Sequence, residues 1–339
     1  MAPLLRPRQS LSKDKFSAYF GGLKSTNYHD PSSGRGGSGG SHNLRSIAWN
    51  PLGTLVATGS ADKTLRVWNP EKPNARFSTD LKGHSAPIEK VAFNPVKDAE
   101  LCSVSSDGTV KFWDVRTKNC FNEVRGLGEA FTLAWAPRGD TLIVGNKADN
   151  IFVLSPTQNT PISSNQQPRQ TNQIAFCWSG NKVFMTTGEG KIRILSYPDF
   201  EPVFHYKYQG QDPIEFSLHG HTSSSLSAEL QPTGRYLATG GSDSIIALWD
   251  TTDWICQRTL TSMAGPVRSI SFTFDGSYVV GGSDEGAGLE ICHTETGELV
   301  HSFKTAGPCP IVAWAPTRYC LAYSDLGVLR ILGVDSDRK

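Results

Sequence analysis

A short apolar strand that ends in an aromatic residue or a leucine recurs along the whole chain. Its end positions are Trp49, Phe93, Trp135, Phe176, Leu230, Phe272 and Trp314. The intervals between successive end positions are 44, 42, 41, 54, 42 and 42 residues. Clusters of Gly, Asp, Asn and Ser then separate further short apolar runs, as is typical of strands joined by tight turns. Only Lys13 to Phe20 has the pattern of a short helix, so the sequence predicts an all-β chain.

A period near 42 residues is the length of one WD-type propeller blade, and seven copies predict seven four-stranded blades. Blades bury their faces only against each other, so we expect one ring rather than the two domains that 339 residues would allow. A strand near Ser25 to His29 is expected to complete blade 7. Strands from both ends of the chain then close this single seven-bladed WD-repeat β-propeller and remove its open edge.

The same pattern divides the chain into segments. The predicted segments are a basic N-terminal extension over 1–24, the propeller over 25–335, a Gly/Ser-rich linker over 31–42, a long connection between blades 4 and 5 over 197–222, and a tail over 336–339.

Charge and cysteine usage narrow the class of function. The net charge is +1, with 33 basic and 32 acidic residues, which argues against RNA binding through a broad basic field. Six basic and two acidic residues lie in the first 40 positions. We therefore expect RNA binding to be weak or indirect and to come from the basic N-terminal extension. The seven cysteines form no CxxC pair, which favours a reducing compartment. No run of eighteen apolar residues predicts a membrane span.

Histidines and Trp-Asp pairs recur from blade to blade. In WD-type blades such a histidine bonds to an aspartate in the next tight turn, and this aspartate in turn fixes the tryptophan of the third strand. The predicted sets are His84, Ser105, Asp107 and Trp113 in blade 2; His221, Asp243 and Trp249 in blade 5; and Ser60, Asp62 and Trp68 with His42 in blade 1. A Ser-His-Asp triad is the alternative, but an active site occurs once and this spacing repeats. We therefore predict buried structural networks.

Other motifs do not predict a chemical site. Gly34 to Gly39 matches GxGxxG, but neither a preceding strand nor a following helix is predicted, so we interpret it as linker. His219 and His221 lack further metal ligands nearby. A propeller hydrolase or oxidoreductase would need a convergent set of carboxylates, metal ligands or cofactor attachments. The sequence predicts no enzyme, catalytic residue, cofactor, metal site or small-molecule substrate.

Two regions are candidate partner-binding surfaces. Four residues before each end position, where neighbouring positions repeat, the chain carries Arg45, Glu89, Phe131, Asn172, Leu226, Arg268 and Pro310. This variety suggests a surface shaped by a partner, although tolerance at an exposed site predicts the same variety. The connection between blades 4 and 5 carries Tyr206, Tyr208, Ile214 and Phe216, which either meet a partner or cover the edge of their own blade.

Four stretches carry a more particular resemblance. They are Tyr19 to Ser25, Trp113 to Cys120, Val144 to Asp149 and Ile194 to Val203. These stretches resemble the THO complex subunit 3 family, the WD-repeat subunits of the nuclear TREX assembly, and the resemblance spans roughly residues 15 to 335. The Gly/Ser-rich linker and the long interval between blades 4 and 5 depart from the family pattern.

The resemblance implies a nuclear, non-enzymatic scaffold that couples transcription to messenger ribonucleoprotein assembly and mRNA export. Its implied partners are the other THO subunits, chiefly the large helical one, and through them a DEAD-box RNA helicase. The alternative is another intracellular WD-repeat adaptor, such as a substrate receptor of a ubiquitin ligase or a subunit of a chromatin complex.

Overall fold

Seven four-stranded antiparallel sheets form a ring, as the sequence predicted. The computed structural model describes residues 10–28, 44–206 and 213–334. The predicted linker over 31–42, the tail over 336–339, His42 and Tyr208 lie outside these residues. Each innermost strand contacts the innermost strand of the next blade, and blade 7 contacts blade 1, so the ring is closed.

Each blade runs from its innermost strand outwards. Blade 1 contains β2 (Leu44–Trp49), β3 (Val56–Ser60), β4 (Leu65–Trp68) and β5 (Thr79–Leu81). Blade 2 contains β6 (Ile88–Phe93), β7 (Glu100–Ser105), β8 (Val110–Asp114) and β9 (Asn119–Val124). Blade 3 contains β10 (Ala130–Trp135), β11 (Leu142–Asn146), β12 (Asn150–Leu154) and β13 (Ser163–Gln166). A 3-10 helix, Ala75–Phe77, precedes β5.

The second half of the ring has the same order, with one insertion. Blade 4 contains β14 (Thr171–Phe176), β15 (Lys182–Thr187), β16 (Lys191–Ser196) and β19 (Ser217–His219); β17 (His205–Tyr206) and β18 (Ile214–Glu215) form a separate hairpin before β19. Blade 5 contains β20 (Ser225–Leu230), β21 (Tyr236–Gly241), β22 (Ile246–Asp250) and β23 (Cys256–Leu260). Blade 6 contains β24 (Val267–Phe272), β25 (Tyr278–Ser283), β26 (Leu289–His293) and β27 (Leu299–Phe303).

Blade 7 is built from both ends of the described chain. It contains β28 (Val312–Trp314), β29 (Leu321–Asp325), β30 (Val328–Leu332) and, as the outermost strand, β1 (Ser25–Tyr28). The N-terminal strand pairs antiparallel with β30, with Ser25 opposite Leu332. The predicted closure by strands from both termini is confirmed.

The hydrophobic core lies between neighbouring blades. One cluster joins Ala57 and Leu65 of blade 1 to Ile88, Val91 and Phe93 of blade 2. Successive side chains of a strand point to opposite faces of its sheet, and apolar residues occupy both faces. Each blade therefore buries its two faces against its two neighbours. This packing explains why a single blade would not be stable alone.

A short helix, α1 (Lys13–Gly21), fills a groove between blades 6 and 7. Phe16 and Phe20 are four residues apart, so they lie on one face of the helix, and both are fully buried. The Phe16 ring stacks on Tyr278 with centroids 3.8 Å apart, and Phe20 meets Trp314 edge-on at 5.2 Å. Part of the segment assigned to an extension therefore belongs to the core of the ring.

Among the described residues, no helix is both long enough and apolar enough to cross a membrane.

Candidate functional site

The predicted partner-binding positions share one local geometry at the mouth of the central channel. In six blades the innermost strand has an irregular register at the position four residues before its end position. The residues concerned are Arg45, Glu89, Phe131, Asn172, Leu226 and Arg268. In blade 7, Pro310 follows Cys309, which bridges to Ser283. A bulge removes one residue from the ladder and re-aims its side chain, so the variable positions coincide with places where the sheet does not dictate the residue.

Two ion pairs flank this mouth. Arg45 of blade 1 pairs with Glu89 of blade 2, and the Arg268 Nε lies 2.8 Å from Asp284 Oδ2 within blade 6. The arginine side chains remain 40% and 46% exposed. Exposed pairs of this kind contribute little stability, typically about 0–1 kcal/mol. Both guanidinium groups can therefore exchange partners at little cost.

The other mouth positions are less available. Asn172 donates hydrogen bonds to Ser224 Oγ at 2.9 Å and to the Ser225 carbonyl at 2.7 Å, so it ties blade 4 to blade 5. Phe131 and Leu226 are half-buried. Glu89 accepts a hydrogen bond from Ser106 in addition to its pairing with Arg45. Of the seven predicted positions, the two arginines are the exposed ones.

Below the mouth, the innermost strands of several blades line an open cavity of about 740 Å³. Its walls contain a lysine and a glutamate that the sequence analysis did not single out, Lys90 and Glu229. Glu229 stands one residue before the end position of its strand, where five blades carry alanine and blade 6 carries Ser271. The signal that would have found Glu229 is this break in a series of small residues.

Both groups titrate abnormally because of their surroundings. Burial raises the pKa of Glu229 to about 7, against hydrogen bonds from the Phe272 N–H at 3.0 Å and Ser271 Oγ at 3.3 Å that act in the other direction. Burial lowers the pKa of Lys90, while the nearby charge of Glu229 acts to raise it. A carboxyl group and an amine therefore face the channel in environments that disfavour their charged forms.

In blade 2, the predicted polar network is present with one different member. His84 Nδ1 lies 3.1 Å from Asp107 Oδ2, and His84 Nε2 lies 2.7 Å from Ser103 Oγ. The Trp113 indole N–H donates to the same Ser103 hydroxyl at 2.8 Å. The sequence pattern predicts Ser105 in this set and Asp107 as the residue that fixes the tryptophan. Instead, Ser103 joins the histidine to the tryptophan, and Ser105 bonds the Asp107 N–H and the Ala86 carbonyl.

Blade 5 repeats the arrangement. His221 Nδ1 lies 3.2 Å from Asp243, and the hydroxyl that joins His221 Nε2 to the Trp249 N–H belongs to Thr239, at 2.8 and 2.9 Å. In every case the hydroxyl residue stands ten positions before the tryptophan, a signal that the sequence analysis missed.

In blade 1, the described residues of the network are in place. The Trp68 N–H donates to Thr58 at 3.1 Å, Asp62 bonds Thr64, and Ser60 is buried at the end of β3. In blades 3, 4, 6 and 7 the hydroxyl position holds Val144, Met185, Gly281 and Tyr323, and none of these blades has the tryptophan.

The electrostatics of blade 2 fit a structural network. Burial lowers the pKa of His84, so its imidazole is neutral near pH 7. Burial also acts to raise the pKa of Asp107, but hydrogen bonds from Thr109, Ser85 and His84 outweigh it and hold that pKa well below its usual range. The neutral His84 then donates from Nδ1 to Asp107 and accepts from Ser103 at Nε2. Because the Ser103 hydroxyl also accepts the Trp113 N–H, it is held in place as the hydrogen-bond partner of His84, as in a structural network.

The insertion between blades 4 and 5 divides into a packed part and an exposed part. Phe216 lies 5.9 Å from Phe204, whose ring lies 6.3 Å from Trp254 of blade 5. Phe216 therefore packs against the ring where blades 4 and 5 meet, whereas the predicted alternative was that it covers the edge of its own blade, blade 4. Tyr206 is 48% exposed, although its ring lies 5.4 Å from Phe216, and Ile214 is also exposed.

Within residues 10–28, 44–206 and 213–334, no group of three or more His, Cys, Asp or Glu residues could hold a metal ion.

Comparisons with known proteins agree with this architecture. The model of the WD domain, G-beta repeat, matches residues 37–69, 75–114, 213–250 and 254–287. THO complex subunit 3 of Arabidopsis thaliana is 32% identical over 305 residues, which cover 86% of this chain and 93% of that protein. WD repeat-containing protein AAC3 of Dictyostelium discoideum is 29% identical over 82% of this chain and 61% of its own length. The β-propeller domain of Myceliophteria thermophila Cps50 (Swd1) superposes with a TM-score of 0.74 at 19% identity, covering 86% of this chain and 96% of that one, which shows a shared fold.

Proposed function

The chain belongs to the THO complex subunit 3 family of WD-repeat proteins, and we propose that it couples transcription to messenger ribonucleoprotein assembly and nuclear mRNA export as a non-enzymatic scaffold of a nuclear THO/TREX complex. The observation that carries the proposal is similarity over nearly the full length of both proteins. The proposed partners are the other THO subunits, chiefly the large helical one, with a DEAD-box RNA helicase reached indirectly.

We place the docking surface at the mouth of the channel and on the exposed part of the insertion. Among the described residues, the guanidinium groups of Arg45 and Arg268 are held only by exposed ion pairs. Tyr206 and Ile214 supply exposed apolar area on a hairpin that seven-fold closure does not need. Aromatic residues and arginines are enriched at interface cores, where a few of them dominate the binding energy.

Affinity capture from nuclear extract, followed by mass spectrometry, tests the proposal. The tagged wild-type protein should capture the other THO subunits. A variant with Arg45→Glu and Arg268→Glu should lose most of this capture without a change in melting temperature. Arg138→Glu is the matched control, because Arg138 is 86% exposed in the turn at the opposite end of an innermost strand. Capture of ubiquitin-ligase or chromatin subunits instead would support the alternative adaptor function.

A separate variant tests the insertion. Tyr206→Ala alone is preferable to a double change with Phe216, because Phe216 packs against the ring and its loss would also lower stability. We expect Tyr206→Ala to weaken capture and to leave the melting temperature nearly unchanged. If this variant and the double arginine variant both assemble normally, the partners dock on the side or the opposite face of the ring.

RNA contact is proposed to be weak and to come from the basic N-terminal extension over 1–24. Removing residues 1–24 should abolish it. Because that deletion also takes away the buried Phe16 and Phe20, removal of residues 1–9 alone, which carry Arg6 and Arg8, is the second variant and should weaken it. Fluorescence anisotropy with a single-stranded RNA at two salt concentrations measures this, since phosphate contacts are strongly salt-dependent. Tight binding that survives both the deletion and moderate salt would show that the blades themselves bind RNA.

A further inference from the structure

The internal repeat shows which residues of the channel wall the fold requires. One residue before each end position, Ala48, Ala92, Ala134, Ala175 and Ala313 occupy five of the seven blades. A small side chain is therefore sufficient at this level of the channel. Glu229 occupies the same place in blade 5, with its carboxyl group buried enough to raise its pKa to about 7. A buried carboxylate that the fold does not need lowers stability, which is common at functional sites.

Lys90 is a second break in the repeat. It stands three residues before the end position of its strand, two residues nearer the mouth than the position that Glu229 occupies. Four of its six counterparts join the innermost strands of neighbouring blades, whereas Thr132 has no hydrogen-bond partner among the described residues and Ile311 has no polar group. Ser46 Oγ accepts from the Val91 N–H at 3.0 Å, Ser227 Oγ donates to the Val267 carbonyl at 3.0 Å, and Ser269 Oγ donates to the Pro310 carbonyl at 2.8 Å. Gln173 donates to the Ala228 carbonyl at 3.0 Å in the same way. Lys90 makes no such bond within the part of the chain that the structure describes. Its ammonium group could donate three hydrogen bonds.

Glu229 has similar unused capacity. Its oxygen Oε1 accepts both hydrogen bonds, from Ser271 Oγ and from the Phe272 N–H. Over the described ranges, Oε2 accepts none. These two bonds hold the carboxyl group in place on the wall, so its second oxygen is positioned in advance for a donor that enters the channel.

The cavity around these two groups has the size and charge of a binding site for a mixed-charge ligand. Its volume of about 740 Å³ lies within the usual range for ligand sites. From the described part of the chain, its charged lining consists of Arg45, Lys90 and Arg268 with Glu89, Glu229 and Asp284. Three positive and three negative groups produce no net attraction for a polyanion such as RNA. A ligand with one charge of each sign could pair with Glu229 and Lys90 together.

We propose that the channel receives an extended segment of a partner polypeptide that places a basic side chain against Glu229 and an acidic side chain against Lys90. This inference rests on the proposed docking function and names the chemistry of the segment. A basic side chain would give Oε2 of Glu229 a charged donor, and an acidic one would give the Lys90 ammonium an acceptor. Hydrogen bonds between charged groups are the stronger class in proteins.

Synthetic peptides test the proposal directly on the full-length protein. Four fluorescently labelled alanine-based peptides of ten residues would carry a basic and an acidic residue two positions apart, the basic residue alone, the acidic residue alone, or neither. At pH 8, we expect the mixed peptide to bind about tenfold more tightly than either singly charged one, the size of one charged hydrogen bond. Equal affinity of all four peptides would overturn the proposal.

Substitutions assign each charge to its receptor. Glu229→Gln keeps an acceptor for Ser271 and the Phe272 N–H, and it should reduce the affinity of the mixed peptide to that of the acidic peptide. Lys90→Gln should reduce it to that of the basic peptide. Lys82→Gln, a matched change at a lysine 85% exposed outside the cavity, should change nothing. Binding of the mixed peptide that Glu229→Gln and Lys90→Gln leave intact would overturn the assignment, as would its displacement by a single-stranded RNA.

The capture assay separates this inference from the proposed function. If the double arginine variant loses the THO subunits while none of the peptides discriminates, docking at the mouth stands and insertion into the channel is wrong. If wild-type protein captures no THO subunit while the mixed peptide still binds as expected, the channel site stands and the proposed complex is wrong.

Discussion

Removing the Ser103 hydroxyl tests how the blade 2 network is connected. Ser103 Oγ accepts from the Trp113 indole N–H at 2.8 Å and lies 2.7 Å from His84 Nε2, and all three side chains are buried. Ser103→Ala leaves the Trp113 indole nitrogen and His84 Nε2 without this hydrogen-bond partner in a buried site. Each buried group left unsatisfied costs about 1–3 kcal/mol. Because the two losses share one site, we expect a total of about 2–4 kcal/mol.

Ser105→Ala is the matched control, since it removes an equally buried hydroxyl two residues further along the same strand. Ser105 Oγ bonds the Asp107 N–H at 3.2 Å and the Ala86 carbonyl at 3.1 Å, both at a partly exposed turn that water reaches. This change should cost about 0.5–1.5 kcal/mol. The sequence pattern placed Ser105 in the network, so a larger cost for Ser103→Ala than for Ser105→Ala distinguishes the two assignments.

Urea unfolding followed by circular dichroism measures both costs, with Trp113→Phe added to complete a double-mutant cycle. The phenylalanine variant lacks the indole N–H, so Ser103→Ala should cost less in that background. The coupling between the two positions should reach about 1 kcal/mol. A coupling near zero, or a larger cost for Ser105→Ala than for Ser103→Ala, would refute the connection through Ser103.

Three further outcomes are expected. Glu229→Gln should stabilise the protein by about 1–3 kcal/mol at pH 8 and hardly at all at pH 4. Burial raises the pKa of Glu229 from 4.5 to about 7, so the stability that the wild-type protein has below pH 4.5 is lost as this carboxyl group ionises. Urea midpoints at the two pH values measure the difference. Phe16→Ala and Phe20→Ala should each lower the free energy of unfolding by about 3–5 kcal/mol, whereas an unchanged midpoint would show that α1 is not part of the core. Trp113→Ala should cost about 3–5 kcal/mol of stability. Leu195 occupies the matching place in blade 4 without a polar network, so Leu195→Ala should cost about 2–3 kcal/mol. Unfolding free energies in the reverse order would contradict the role of the network.

The repeating strand pattern by itself determined the number of blades and the closure of the ring. It also located the variable mouth positions, because Arg45 and Arg268 stand at the same place in their repeats. A local pattern is sufficient here, since each blade must bury both faces against its neighbours and so repeats the same alternation. In each Trp network, the hydroxyl residue stands ten positions before the tryptophan, as Ser103 does before Trp113. This constant spacing would have identified the hydroxyl from the sequence.

Strand register decided which hydroxyl that is. In blade 2, Trp113 lies opposite Leu101, so Ser103 is its diagonal neighbour and Ser105 is a further two residues away. Two serines on one face of a strand look alike in the sequence, and only the pairing selects between them.

Contacts between distant parts of the chain were decided by the tertiary structure alone. The pattern of α1 showed a short helix, but not that Phe16 and Phe20 would lie in a groove made by blades 6 and 7 at the far end of the chain. Lys90 and Glu229 likewise belong to repeats three blades apart and share one cavity only because the ring closes. Periodicity determines what each repeat must bury, whereas the lining of a shared channel depends on which side chains closure brings together.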